Sequence, residues 1–223
     1  PISLSRMLPM IASLGVEVVD EWPYEFLGRP HPTWVYEFGL RYTEPVPPGA
    51  VSLVQDALAA IWDGFNEVDG FNGLVLAAGL TWRQIWVLRA YARHMRQSNS
   101  PFGQDSIETA LRVNPAIARN LVELFAVSYD PDRFAGDEPG WAARRATAGE
   151  VVAGVEAQLD QVVSLDHDRI LRAYLARLNA TLRTNHYRTQ VDGSPRAVLA
   201  LKLAPEQIAD LPEPRPRFEV FVH

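Results

Sequence analysis

The stretch FNGLVLAAGLTWRQIWVLRAYARHMRQ, residues 71–97, commits the middle of this chain to helix. Ile85, Leu88, Ala92 and Met95 recur at helical spacing and form one apolar stripe. Arg89, Arg93 and Arg96 stand at i, i+4 and i+7, so their Cβ atoms share a second face. Trp82 and Trp86 lie one and two turns earlier on nearly that face. Thr81 is the expected N-cap of a helix over 82–97. An aromatic and cationic face of this kind suits an anion, a nucleotide or an acidic partner. The plainer reading is preferred, namely an amphipathic helix whose arginines face water or pair with nearby acids. A contact between domains or subunits lies between the two, because tryptophan and arginine are enriched at interfaces.

The flanking patterns differ. Leu4, Met7, Leu8, Ile11 and Leu14 predict a short helix stopped by Gly15, with Pro9 weakening its interior. VEVVDEWPYEF (16–26) reads as a strand broken near Pro23, LGRPHP (27–32) as a turn, and TWVYEFGLRY (33–42) as a second strand. Glu17, Asp20, Glu21 and Glu25 on the first strand are solubilising, or pair with Arg29 and Arg41. Val51, Val54, Leu58, Ile61 and Phe65 predict a helix to about residue 68. Helix, strand, strand, helix is most of a βαββαβ unit, with the first strand lying before Pro1.

Helical patterns then continue to about residue 190. Segments are expected at 105–112, at 114–127 opened by Asn114-Pro115, at 141–163, and at 166–184 capped by Asp166. Ile170, Leu171, Tyr174, Leu175, Leu178 and Leu182 make the last apolar stripe. After a linker at 187–195, RAVLALKL (196–203) and RFEVFVH (217–223) return to strand patterns around a proline-rich connection. The expected class is α+β, mainly helical. Its divisions are 1–69 (partial α+β unit), 70–194 (helical region) and 195–223 (opening strands of a further, truncated domain). Pro1 in place of methionine and a strand running into His223 suggest a piece of a longer polypeptide.

Several functions are disfavoured. The net charge of -6 argues against general nucleic-acid binding. Without cysteine there is no disulfide, thiolate nucleophile or cysteine-bound metal. No apolar run is long enough to span a bilayer, and the N-terminus is a poor signal peptide, so a cytoplasmic location is expected. No G-x-G spacing, no glycine followed by lysine and no G-x-S-x-G occur. Asp166-His167-Asp168 is better explained as a helix start than as a metal site, and the five histidines lack H-x-x-x-H spacing. No catalytic, cofactor-binding or metal residue is therefore assigned. Trp82, Trp86, Arg89, Arg93 and Arg96 are the candidate interface or anion contacts.

Five ordered blocks carry a family resemblance. They are LPMIASLGVEVVDEWPYEF (8–26), the tryptophan–arginine stretch (71–97), RVNPAIARNLVELF (112–125), LDHDRILRAYLARLNATLRTNHYR (165–188) and LPEPRPRFEVFVH (211–223). Together they resemble the large bacterial NAD-specific glutamate dehydrogenases with a long N-terminal extension. The resemblance implies the end of an ACT-like module, then a helical segment, then the first strands of the catalytic part. It implies a parent enzyme that uses NAD to interconvert glutamate with 2-oxoglutarate and ammonia. Its implied partners are the rest of the same polypeptide, further copies in a homo-oligomer, and an amino-acid effector, with no nucleic acid and no membrane. Lys202 is the single lysine, whereas the family's chemistry needs several, so this chain alone is expected to be inactive and to bind no NAD. Two alternatives are an amino-acid-sensing ACT-like module and a standalone helical adaptor for an acidic partner.

Overall fold

Apolar spacing shifts from helix to strand and back to helix by Ala50, and the computed structural model follows it. Residues 3–26 and 33–223 are described. The chain separates into two units, Pro1–Ile85 and Trp86–His223.

In the first unit, α1 (Leu4–Ser13) buries Met10 and Ile11. Pro9 is tolerated inside it because the amide it lacks would have met the carbonyl of Ser5, an exposed residue that water can serve. Gly15, at φ 81°, takes the left-handed turn that starts the next strand. Strands β1 (Glu17–Phe26) and β2 (Thr33–Arg41) pair antiparallel from Glu17 opposite Arg41 to Phe26 opposite Thr33. The expected break at Pro23 is absent. Pro23 lies opposite Tyr36, and in a two-stranded sheet its missing donor can point away from the ladder. The one irregularity is a bulge between Val18 and Asp20. Arg41 donates to Glu17 at 3.0 Å as expected, while Arg29 and the 27–32 turn lie outside the described residues.

Helix α2 (Ala50–Trp62) ends earlier than its pattern suggested, and its buried side is Ala50, Ala57, Ala60 and Ile61. Val51 is 73% exposed and Phe65 67% exposed, so neither joins that face. Ile11, Val16, Ala50 and Leu76 form a core that Met7, Val18, Phe38, Tyr42, Val54 and Leu58 flank. A 3-10 turn, Gly70–Gly73, leads into α3 (Leu74–Ala78). Within that turn the buried Asn72 donates to the Ser13 hydroxyl (3.1 Å) and the Glu67 carbonyl (2.8 Å), and accepts from the Asn66 amide (3.0 Å).

Helix α4 (Trp82–Gln97) opens with a reciprocal cap. The Thr81 hydroxyl accepts from the Gln84 amide at 3.3 Å, and the Gln84 side chain accepts from the Thr81 amide at 2.9 Å. The second unit continues from Trp86 along α4 into α5 (Gln104–Val113), α6 (Pro115–Tyr129), α7 (Glu138–Leu159) and α8 (Leu165–Ala180). Asn114 is the N-cap residue of α6 and Pro115 follows it, as expected, while the Asn114 side chain turns back and donates to the Ala110 carbonyl at 2.8 Å. Ser164, not Asp166, caps α8 by accepting from the His167 amide. Asp168 instead accepts from Arg172 one turn on, at 2.7 Å. Arg144 of α7 satisfies the end of α6 by donating to the carbonyls of Val127, Ser128 and Asp130 at 2.8–3.0 Å.

Helix α8 stops four residues short of the expected Thr184, because Thr181–Thr184 is strand β3. Leu182, expected in the apolar stripe, is 41% exposed on that strand. Strands β4 (Ala200–Leu203) and β5 (Glu219–Val222) complete an antiparallel sheet ordered β3-β4-β5. Leu201 opposite Phe221 and Leu203 opposite Glu219 put Leu201, Leu203 and Phe221 on the buried side. The class is α+β and mainly helical.

Replacing Asn72 with alanine removes three hydrogen bonds, the one with Asn66 buried and the other two partly so. It should destabilise folding by about 2–3 kcal/mol with little loss of helical signal, read from the urea unfolding midpoint. An unchanged midpoint would show that Asn72 is not a structural hub.

Candidate functional site

The tryptophan–arginine helix is far more buried than its pattern suggests. In the second unit Val87, Leu88, Arg89, Ala90, Tyr91, Ala92, His94 and Met95 are all buried. A helix covered on most sides is a core element rather than an amphipathic surface one. Arg89 is 0% exposed, which corrects the expectation of a solvated guanidinium and removes it from any surface contact. Arg93 is half-buried. Arg96 is exposed and donates to the Gln104 side chain at 3.1 Å. Trp82 is half-buried, with the Arg83 guanidinium 5.5 Å from its ring centre. Trp86 packs near His186 and His223, with ring centres 6.3 and 6.2 Å away. The five candidates therefore do not form one continuous cationic surface.

The polar centre of the second unit lies elsewhere, at Arg177. This residue falls between Tyr174 and Leu178 on the apolar stripe of α8 and is 0% exposed. Its Nε–H donates to His94 Nδ1 at 3.1 Å. One terminal nitrogen donates to the Ala173 carbonyl (3.1 Å) and Asp210 Oδ1 (3.2 Å), while the other meets Asp210 Oδ2 at 3.0 Å. This forked pairing suits a planar guanidinium. Because Arg177 can only donate, His94 Nδ1 must accept, and the imidazole proton sits on Nε2. Nε2 faces Glu219 Oε2 of β5 at 3.3 Å, and Phe221 meets the imidazole edge-on at 5.4 Å. Burial holds His94 below the ordinary histidine range, against an opposing pull from Glu219.

A second network sits where α8 becomes β3. The Thr181 hydroxyl donates to the Arg177 carbonyl at 2.7 Å and accepts from Tyr91 at 2.8 Å. The Tyr129 hydroxyl donates to the Thr181 carbonyl at 2.5 Å, and Ala204 N–H donates to the Ala180 carbonyl at 2.8 Å. Burial raises the Tyr91 and Tyr129 phenols well above their usual range, so both stay neutral donors. Phe125 gathers Tyr91, Tyr129, His186 and Tyr187 around its ring, with centres 5.1–6.4 Å away. Lys202 stands 4.2 Å over the Phe218 ring.

The sequence reading passed over His94 and Arg177. The available signal was a charged residue on an apolar stripe, since Arg177 stands three residues after Tyr174 and seven after Ile170. What these residues form is a buried, mutually satisfied set of hydrogen bonds tying α4, α8 and β5. Among the described residues no group of three histidine, cysteine or acidic side chains could hold a metal ion, and no helix is long and apolar enough to cross a membrane.

Three family profiles match in succession. "Glutamate dehydrogenase, ACT3 domain" matches residues 1–53, "Glutamate dehydrogenase, helical motif 3" residues 66–131, and "Bacterial NAD-glutamate dehydrogenase, catalytic domain" residues 154–223. Among curated relatives, an NAD-specific glutamate dehydrogenase of Mycobacterium tuberculosis is 43% identical over 99% of this chain. Those of Halomonas elongata and Pseudomonas aeruginosa are 37% and 36% identical over 100% of it. The chain spans 14% of the length of each of these relatives.

Replacing Arg177 with methionine keeps the side-chain length but removes every donor to His94 and Asp210. Asp210 is half exposed and can turn to water, so the cost is the lost donor to the buried His94, about 1–2 kcal/mol, measured by urea unfolding. A midpoint matching the unsubstituted chain would mean that the network contributes nothing to stability.

Proposed function

Because this chain belongs to the bacterial NAD-specific glutamate dehydrogenase family, we propose that it is a non-catalytic architectural or regulatory segment of such an enzyme. The longer protein would oxidise glutamate to 2-oxoglutarate and ammonium with NAD as the hydride acceptor, in the cytoplasm, as a homo-oligomer. The observation that carries this reading is the order of the three matches, ACT-like, helical, then catalytic, along one short chain. The divisions we adopt are 1–69, 70–194 and 195–223, with β3 adding a strand from α8 to the final sheet. NAD and the substrate would be held by parts of the longer protein. The partners would be the rest of that polypeptide and its other copies, met in part through Trp82, Trp86, Arg93 and Arg96.

An amino-acid sensor is less well supported. The first unit has a groove of about 400 Å³ lined by Leu4, Met7, Ile11, Trp34, Tyr36 and Phe38 among others. Its lining includes no charged residue to meet an ammonium or carboxylate group. The adaptor reading loses its central cation with the burial of Arg89.

The test compares the 223-residue chain with a full-length protein that carries it, in NADH formation from glutamate and NAD. We expect activity in the long protein and none in the chain alone. Activity in neither, or in the chain alone, would overturn the proposal. In the long protein Arg96→Glu should lower the oligomeric mass measured by light scattering, and an unchanged mass would remove Arg96 from the interface.

A further inference from the structure

The Arg177–His94 contact joins two parts of the second unit that the family profiles treat separately. His94 falls in the helical-motif stretch, while Arg177, Asp210 and Glu219 fall in the catalytic-domain stretch. We propose that His94 and Arg177 form a proton-released joint that fixes helix α8 of the catalytic-domain stretch to helix α4 of the helical motif. The joint rests on the geometry within residues 86–223 and holds whether or not the longer protein oxidises glutamate.

Geometry sets the mechanism. His94 Nδ1 lies 3.1 Å from Arg177 Nε, whose hydrogen points at it. Adding a proton to Nδ1 would set two donors against each other and lose that hydrogen bond. It would also place a second positive charge beside the guanidinium, where both side chains are 1% exposed. The charged groups facing His94 are Arg177 from α8, Asp210 from the segment after β4, and Glu219 from β5. Asp210 is already engaged by both terminal nitrogens of Arg177. Glu219 is the main group favouring an imidazolium, with Asp210 a smaller one, but the Glu219 side chain is 36% exposed and screened by water.

The neutral imidazole is therefore the form that closes the joint, consistent with burial lowering the affinity of His94 for a proton. The sign of the pH dependence follows. The unfolded chain takes up this proton more readily than the folded one, so the joint's contribution is complete above the ordinary histidine pKa of about 6.5 and is lost as pH falls below it. Opening the joint parts α8 from α4 at this contact, while the His94 Nε2–H keeps its carboxylate partner Glu219 on β5.

His94→Gln separates charge from packing, because glutamine keeps one acceptor and one donor but takes up no proton. The experiment measures urea unfolding of both 223-residue chains at about pH 7.5 and about pH 5.5, the range over which histidine changes charge. Side-chain nitrogen NMR of the unsubstituted chain accompanies it, with His94 assigned by its absence in the variant. We expect the unsubstituted chain to lose more of its unfolding midpoint on acidification than His94→Gln does. We also expect a bare Nδ1, a protonated Nε2, and a titration midpoint for His94 below the ordinary histidine value of about 6.5. Parallel losses in the two chains, a protonated Nδ1 at about pH 7.5, or a His94 midpoint at or above about 6.5 would overturn the proposal. Should the variant not fold, the contact of the His94 ring with Phe221 assigns its signals in the unsubstituted chain, and these decide the question alone.

Discussion

A guanidinium with five N–H donors and no acceptor, buried within an apolar stripe, dictates much of what surrounds it. Arg177 cannot lose its charge, so its partners had to be brought to it. They come from three places in the chain: His94 on α4, the Ala173 carbonyl one turn back on α8, and Asp210 in the segment after β4. Leaving those donors unmet would cost several kcal/mol, a large part of the net stability of an ordinary domain. The path of residues 204–218 is thus tied to a requirement created on α8. In turn, His94 extends that requirement to Glu219 and so to the position of β5.

The same region shows how a helix becomes a strand without a loop. The last carbonyls of α8 would normally be left without partners, and a buried helix end is unstable for that reason. Here Thr181 takes the Arg177 carbonyl and Ala204 takes the Ala180 carbonyl. Tyr129 takes that of Thr181 itself, and Tyr91 donates to the Thr181 hydroxyl. With these bonds made by residues from α4, α6 and the position just after β4, the backbone is free to extend at Thr181 (φ -75°, ψ 128°).

Much of the fold was legible because spacing and caps are local. The α1–β1–β2–α2 order, the Thr81 cap and strands near 200 and 220 could all be read from periodicity. The misses share a different cause. Ser164 stands two residues before Asp166 and either could cap α8 by pattern; only the structure shows that Ser164 does. Residues 181–184 continue a helical pattern, and their conversion to strand depends on partners 50 and more residues away in sequence. The candidate face on α4 was misread because periodicity gives the direction of a side chain but not what covers it. Arg89 points where the pattern says, yet it is fully covered, while Arg96 two turns on along the same face is exposed.

This burial changes what a tryptophan–arginine helix implies. Long polar side chains in a core are weak evidence for added stability, since well-packed hydrocarbon can serve as well. Their stronger effect here is on register. Glu219 and Phe221 lie on the buried side of β5, two residues apart, one paired with His94 and the other packed against it. A slip of β5 by one residue would carry both to the opposite face and bring Val220 and Val222 inward. An apolar contact alone would resist that slip poorly, because valine tolerates burial as readily as phenylalanine does. A carboxylate hydrogen-bonded to an imidazole, itself held by a buried arginine, does not. The network therefore selects one register for the sheet, which gives a reason for charge in the core of a segment to which no catalytic residue is assigned.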